Sequence, residues 1–76
     1  MNFASALISM KQGYKVGRKH WEGYWYLVQA ETEDDHIDQI IIHEKDGNEL
    51  NLLDTDDILF TLSNIACDDW EIKGEI

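Results

Sequence analysis

Apolar residues near the start of the chain recur at helical spacing. Phe3, Leu7 and Met10 stand at positions i, i+4 and i+7, which places them on one face of a helix. Gly13 follows this stripe and is typical of the residue just beyond a helix end. The pattern predicts a helix over residues 2–12 whose apolar face packs on a core.

Most of the remaining chain alternates apolar and polar residues in short runs, which is typical of half-buried strands. Asp46-Gly47 lies between two such runs and indicates a type I′ hairpin. We predict four or five strands, drawn from Tyr14–Lys19, Tyr24–Ala30, Ile37–Glu44, Glu49–Leu53 and Trp70–Lys73.

The segment Thr55–Ala66 mixes two patterns. Its apolar spacing suits a helix capped by Thr55 or Asp56, and the competing interpretation is a loop with one helical turn near Ser63–Cys67. The sequence therefore predicts an α+β domain. Its N-terminal helix packs on one face of a small antiparallel sheet, and a second short helix near the C-terminus stays an open alternative.

The length of 76 residues predicts a single domain spanning residues 1–76. A domain of this size buries only about 60% of its unfolded surface. One cysteine, Cys67, excludes an internal disulfide, and we expect it to be a buried thiol. We expect self-association to supply the missing stability, as a dimer or a larger homo-oligomer. No apolar stretch has the length of a membrane span and residues 1–10 lack signal-peptide features, so we expect a cytoplasmic protein.

The net charge of −10 argues against ordinary nucleic-acid binding. The charge is unevenly distributed, because residues 1–21 carry four cations and no acid, whereas residues 22–76 carry two lysines and sixteen acids. The basic segment either pairs with acids of this chain or forms a focused anion site. We interpret the acidic cluster Glu31–Asp35 as a solvated loop.

The chain lacks the motifs of common enzymes. It has no nucleophile elbow, Walker loop, dinucleotide fingerprint or His-Glu-x-x-His motif, and its five glycines are scattered. Its three histidines have no ligand spacing. We therefore expect no catalytic residue, no metal site and no cofactor.

Residues 14–26, YKVGRKHWEGYWY, hold five of the eight aromatic residues and three of the six cations. Aromatic rings stack on bases, and arginine or lysine binds phosphate, so this composition suits a nucleotide. The alternative is a hydrophobic sheet whose cations pair with the many acids, and for Trp21 and Tyr24 the two interpretations are equally supported. Trp25 lies inside a strand and is expected in the core or at a subunit contact.

Three segments together resemble a known family: MNFASALISMKQGYKVGRKHWEGYWYLV, HIDQIIIHEKDGNEL and ACDDWEI. They are similar to the phage Thoeris anti-defence type-two proteins in order and spacing. The resemblance implies a helix on an antiparallel sheet, dimers and tetramers, and a ligand pocket between subunits. It also implies binding of cyclic ADP-ribose-type or related cyclic nucleotide signals, which are left intact.

The resemblance also suggests roles for individual residues. Arg18 and Trp21 match an R-x-x-W element that is expected to face ligand, and Trp70 is expected to be structural. Trp21 would stack on a base, Arg18 and Lys19 would neutralise phosphate, and Thr61 or Asn64 would bond ribose or a base edge. The predicted ligand-binding residues are Arg18, Lys19, Trp21, Tyr24, Tyr26, Thr61 and Asn64.

The leading hypothesis is thus an anti-defence protein that sequesters a small cyclic nucleotide. A rival from another class is an acidic inhibitor that blocks a nucleic-acid-binding defence protein, such as a CRISPR nuclease, by imitating a polyanion. A third hypothesis is a small phage structural protein without a ligand.

Overall fold

The computed structural model describes residues 1–31 and 36–76 and shows an α+β domain. A five-stranded antiparallel sheet has the order β4-β3-β2-β1-β5. Two α-helices and one 3₁₀ turn complete it. The elements are α1 (Phe3–Lys11), β1 (Tyr14–Arg18), β2 (Tyr24–Glu31), β3 (His36–His43), β4 (Glu49–Asn51), the 3₁₀ turn (Leu52–Asp54), α2 (Ile58–Ile65) and β5 (Trp70–Glu75).

The first helix forms and ends as its pattern predicts. The Asn2 side chain accepts a hydrogen bond of 2.9 Å from the Ser5 N–H and caps the N-terminus. Gly13 has φ of 97°, and its N–H donates to the Met10 carbonyl at 3.1 Å. Because glycine adopts this left-handed conformation without a Cβ clash, α1 ends here and β1 begins at the next residue.

The helical interpretation of the Thr55–Ala66 segment is confirmed, but the predicted cap is wrong. Asp57 caps α2 by accepting from the Phe60 N–H at 2.9 Å. Thr55 instead donates its hydroxyl to the Leu52 carbonyl and closes the 3₁₀ turn. The Asn51 side chain caps the start of that turn by accepting a hydrogen bond from the Leu53 N–H. Strand β4 therefore ends at Asn51, two residues before the predicted end.

The predicted hairpin between β3 and β4 is present, but its turn is not type I′. A type I′ turn needs positive φ at both central residues, whereas Gly47 has φ of 92° and Asp46 does not have positive φ. The Asp46 carboxylate accepts from the Asn48 N–H and side-chain amide, at 3.1 and 3.0 Å. The Glu44 N–H donates to the Asn48 carbonyl at 2.8 Å, so the loop holds three residues and ends on a glycine.

Of the predicted acidic loop, Glu31 belongs to β2 and residues 32–35 lie outside the described residues.

Tryptophan dominates the core, which lies between α1 and the sheet. Trp25 and Trp70 are 3% and 1% exposed, and their rings lie 5.0 Å apart. The Phe3 ring packs edge-on against both, and the Trp70 indole N–H donates to the Asn64 carbonyl at 3.0 Å. Trp70 is thus structural, as predicted, and it joins the sheet to both helices. The other core residues are Ala6, Met10 and Val16.

The opposite face of the sheet carries no helix in the described part of the chain. Trp25 and Ile42 pair across β2 and β3 and belong to the core side. The neighbouring pair Tyr24 and His43 therefore projects to the opposite side, because side chains alternate along a strand.

Cys67 is only partly buried, which corrects the expectation of a buried thiol. Within residues 1–31 and 36–76, no helix has the length and hydropathy of a membrane span.

The bond between Trp70 and Asn64 leads to a stability prediction. Trp70→Phe removes the indole donor from the Asn64 carbonyl, which keeps its bond from the Cys67 N–H at 3.2 Å. Trp25→Phe removes an indole whose N–H has no partner among the described residues. Because one hydrogen bond is lost and the carbonyl keeps another, we expect Trp70→Phe to lower the free energy of unfolding by about 0.5–1.5 kcal/mol more than Trp25→Phe. Urea unfolding of both variants measures the difference, and equal losses would contradict the role of the bond.

Candidate functional site

A cavity of about 720 Å³ opens beside α2, at the end of the sheet where β2 begins and β3 ends. The turn between β1 and β2 forms one wall and α2 forms another. The remaining walls come from the sheet and from the segments that follow β3 and the 3₁₀ turn. The lining residues are His20–Trp25, Ile42–Lys45, Leu50, Thr55–Asp57, Phe60, Thr61 and Asn64.

Trp21 supplies an aromatic surface to this cavity. It is partly buried, and its ring centroid lies 5.3 Å from that of Trp70 and 5.8 Å from that of Trp25. Its backbone N–H donates to the Arg18 carbonyl at 2.9 Å. Trp21 is therefore held by the core on one side while it lines the cavity, and such a fixed ring suits stacking on a planar ligand.

Asn64 and Thr61 supply the polar wall on α2. Asn64 is 3% exposed, and its side-chain oxygen accepts from the Arg18 guanidinium at 2.9 Å. Its amide nitrogen has no hydrogen-bond partner in the described part of the chain, and the residue lines the cavity. The Thr61 hydroxyl donates to the Asp57 carbonyl at 3.1 Å and keeps its acceptor capacity.

Arg18 is committed to an ion pair within the chain. Its Nε and Nη2 donate to the two carboxylate oxygens of Asp69 at 2.8 and 3.1 Å, and its third contact is the bond to Asn64. The hydrogen bonds from Arg18 hold the pKa of Asp69 below its ordinary value, and the same bonds raise the pKa of Arg18. Arg18 lies outside the cavity lining, so its three donor directions fix α2 and the 67–69 segment rather than face the cavity.

The charges around the cavity differ from those expected. Lys19 is exposed and outside the lining. The lining cation is Lys45, accompanied by His20 and His43, and four carboxylates share the rim: Glu22, Glu44, Asp56 and Asp57. An anion bound here would depend on Lys45 and the two histidines, and the carboxylates would oppose a large polyanion.

A second, smaller cavity of about 400 Å³ lies on the open side of the sheet. The Tyr24 and His43 rings stack at 4.6 Å and 9°, and both residues line the two cavities. Lys15 Nζ lies 4.5 Å from the Tyr24 ring centroid. The Tyr26 hydroxyl donates to Glu49 at 2.7 Å, which lowers the pKa of Glu49 and raises the pKa of Tyr26.

The structure thus brings four of the seven predicted residues to the larger cavity: Trp21, Tyr24, Thr61 and Asn64. Tyr26 lines the smaller cavity, and Arg18 and Lys19 line neither. Sequence reasoning missed Phe60, His43 and Lys45. Phe60 lies in the segment whose structure was undecided. His43 lies at the site because it pairs with Tyr24 across β2 and β3. The alternation of apolar and polar residues does not determine which residues of the two strands pair.

The ion pair between Arg18 and Asp69 predicts how stability depends on pH. The pKa of Asp69 is lower in the folded chain than its ordinary 3.8, so the pair stabilises the fold fully above that value and less as the pH falls through the folded pKa. We expect Asp69→Asn to be less stable than the wild type at pH 7 and to lose less stability between about pH 5 and 2. Urea unfolding across this range tests it. Asp68→Asn, which changes an exposed neighbour without an ion pair in the described residues, should retain the wild-type profile.

Comparison with known proteins gives an independent result. Comparison with curated proteins gave no significant match. The family model of the Thoeris anti-defense 2-like domain matches residues 1–73 of the 76 residues. This match covers every helix and nearly every strand residue described above. The chain therefore belongs to the Thoeris anti-defense 2-like family.

Proposed function

We propose that this Thoeris anti-defense 2-like protein binds a small cyclic nucleotide immune signal in the larger cavity and sequesters it without degrading it. The observation that carries the proposal is that the Trp21 ring, held by the core, and Asn64, whose amide nitrogen has no partner among the described residues, line the same cavity. An aromatic surface and a directional donor are what a nucleobase requires. Family membership supports the anti-defence role.

The size and charge of the cavity favour a compact nucleotide over a polymer. A volume of about 720 Å³ lies within the range of small-molecule pockets. The carboxylates at the rim and the net charge of −10 repel an extended polyanion. The ligand class is therefore a cyclic dinucleotide, a cyclic trinucleotide or a cyclic ADP-ribose isomer.

We assign contacts within this proposal from the residues that line the cavity. Trp21 stacks on a base, and Asn64 and Thr61 bond a base edge or ribose. Lys45 and His20 take the phosphate role that the sequence suggested for Arg18 and Lys19, because they line the cavity. Arg18 contributes indirectly, since its bond to Asn64 orients the amide. Sequestration requires no chemical step. The proposal is therefore a non-catalytic sponge without a cofactor or metal, which acts in the cytoplasm.

A second part of the proposal is that the protein acts as a homo-oligomer, formed through an apolar stripe on α2. Ile58, Leu59 and Leu62 are 66%, 78% and 53% exposed, and they lie at spacings of three and four residues along one side of the helix. Phe60, which is 63% exposed, lines the cavity on the same helix. A second copy packed on this stripe would bury apolar surface that the small core leaves in water and would border the ligand site.

The stacking role of Trp21 predicts a loss of ligand capture. A ligand at 100 times its Kd stabilises a protein by about 2.7 kcal/mol. For a domain of this size, the melting temperature should then rise by about 10 °C or more. We expect a shift of this size with one member of a panel of cyclic dinucleotides, cyclic trinucleotides and cyclic ADP-ribose isomers, and no shift in Trp21→Ala. Heating the complex should return the unmodified compound.

Tyr14→Ala is the matched control, because Tyr14 is an aromatic residue that lines neither cavity, and it should keep the wild-type shift. An undiminished shift in Trp21→Ala would refute the stacking role. No shift with any ligand, together with a salt-sensitive complex with a basic protein from host lysate, would favour the acidic-inhibitor hypothesis instead.

The apolar stripe predicts that a charge on α2 disrupts the oligomer. Leu59→Asp should shift the protein towards monomer in light scattering coupled to size-exclusion chromatography, because the carboxylate would be buried without a partner. Ile8→Asp places the same change on α1, where Ile8 is 58% exposed, and should leave the mass unchanged. A monomeric wild type, or an unchanged mass in Leu59→Asp, would contradict the proposed contact.

A further inference from the structure

The ammonium group of Lys73 is bonded in all three of its donor directions. Its Nζ donates to the Trp21 carbonyl at 3.0 Å, to the Lys19 carbonyl at 3.3 Å and to a Glu71 carboxylate oxygen at 3.0 Å. The side chain is only 18% exposed. An ammonium group has three donors and no acceptor, so this environment saturates it. Two of the three bonds reach the turn that carries Trp21.

A β-bulge directs Lys73 towards this turn. Lys15 pairs with Gly74 and Val16 pairs with Ile72, so Lys73 is the extra residue on β5. Bulges are known to redirect a side chain and often lie beside functional sites. Here the bulge brings a lysine from the edge strand to the two backbone carbonyls of the turn between β1 and β2.

Two glycines leave the space that this arrangement occupies. A Cβ added at Gly17 would lie 3.1 Å from Lys73 Cε and 3.1 Å from the Gly23 carbonyl oxygen. A Cβ added at Gly23 would lie 2.4 Å from the His43 carbonyl oxygen. Lys73 and the Gly23 carbonyl therefore crowd the space beside Gly17, and the end of β3 leaves no room for a Cβ at Gly23.

We infer that Lys73 is a positioning residue for the ligand site, which fixes the backbone of the turn so that the Trp21 ring faces the cavity in one orientation. This inference rests on the proposed function. Lys73 lines neither cavity, so it acts through Trp21 rather than on the ligand. The Trp21 ring already has the core on one side, and the bond from Lys73 restrains the other end of the residue, its carbonyl.

The experiment compares Lys73→Met, which keeps the aliphatic stem and removes the three donors, with Glu71→Gln, which keeps both carbonyl bonds. Acrylamide quenching of tryptophan fluorescence reports on Trp21, because Trp25 and Trp70 are almost fully buried. Nucleotide affinity is measured in parallel with the ligand that shifts the wild-type melting temperature most. We expect quenching to rise at least twofold and affinity to fall at least tenfold in Lys73→Met, and both to stay at wild-type values in Glu71→Gln.

A lower melting temperature in Lys73→Met with quenching and affinity at wild-type values would show a merely structural role and overturn the inference. If the wild type binds no nucleotide in the panel, the proposed function fails. The quenching measurement still tests the role of Lys73 by itself, because unchanged quenching in Lys73→Met would overturn the inference. If Lys73→Met does not fold, Gly17→Ala serves as the second variant, because its methyl group displaces the Lys73 stem. It should increase quenching in the same direction, and unchanged quenching in that variant would also overturn the inference.

Discussion

The indole of Trp70 is the contact on which the rest of this domain depends. Its ring packs against Phe3 of α1, Trp25 of β2 and Trp21 of the turn, and its N–H bonds the backbone of α2. Both helices and the sheet therefore meet at one side chain. Few side chains are fully buried among the residues whose burial is described, and this concentration of contacts replaces the extended core of a larger domain.

The candidate site shares its supports with the fold. Asn64 accepts the Trp70 indole N–H through its backbone and the Arg18 guanidinium through its side chain, so the residue that offers an amide to the cavity is also the residue that attaches α2 to the sheet. Trp21 likewise contacts both the core and the cavity. A substitution at either residue changes stability and the site together, and for that reason the experiments depend on matched controls.

The identity of α1 and of the strands was predictable from periodicity and turn residues, because a single buried face imposes its spacing on each element, whereas the segment of α2 suited a helix and a loop equally. Their ends were less predictable. The start of α2, the end of β4 and the type of the β3–β4 turn differ from the prediction. In each case a nearby side chain accepts a hydrogen bond from a backbone N–H: Asp57, Asn51 and Asp46. Several residues near each end could have made such a bond, so the sequence did not identify the one that does. The site was predictable only in part. Arg18 looked free because its partner Asp69 lies 51 residues away, and Lys45 gave no signal until the strand register placed it beside the turn.

The commitment of Arg18 to Asp69 has a kinetic consequence. Asp69 neutralises that guanidinium, and the net charge of −10 repels anions at long range. For an anionic ligand the long-range field opposes approach, so association is slower than for a basic receptor, and more salt would speed it by screening the repulsion. A tight complex would then owe its affinity to slow dissociation, with the residence time set by short-range stacking and hydrogen bonds.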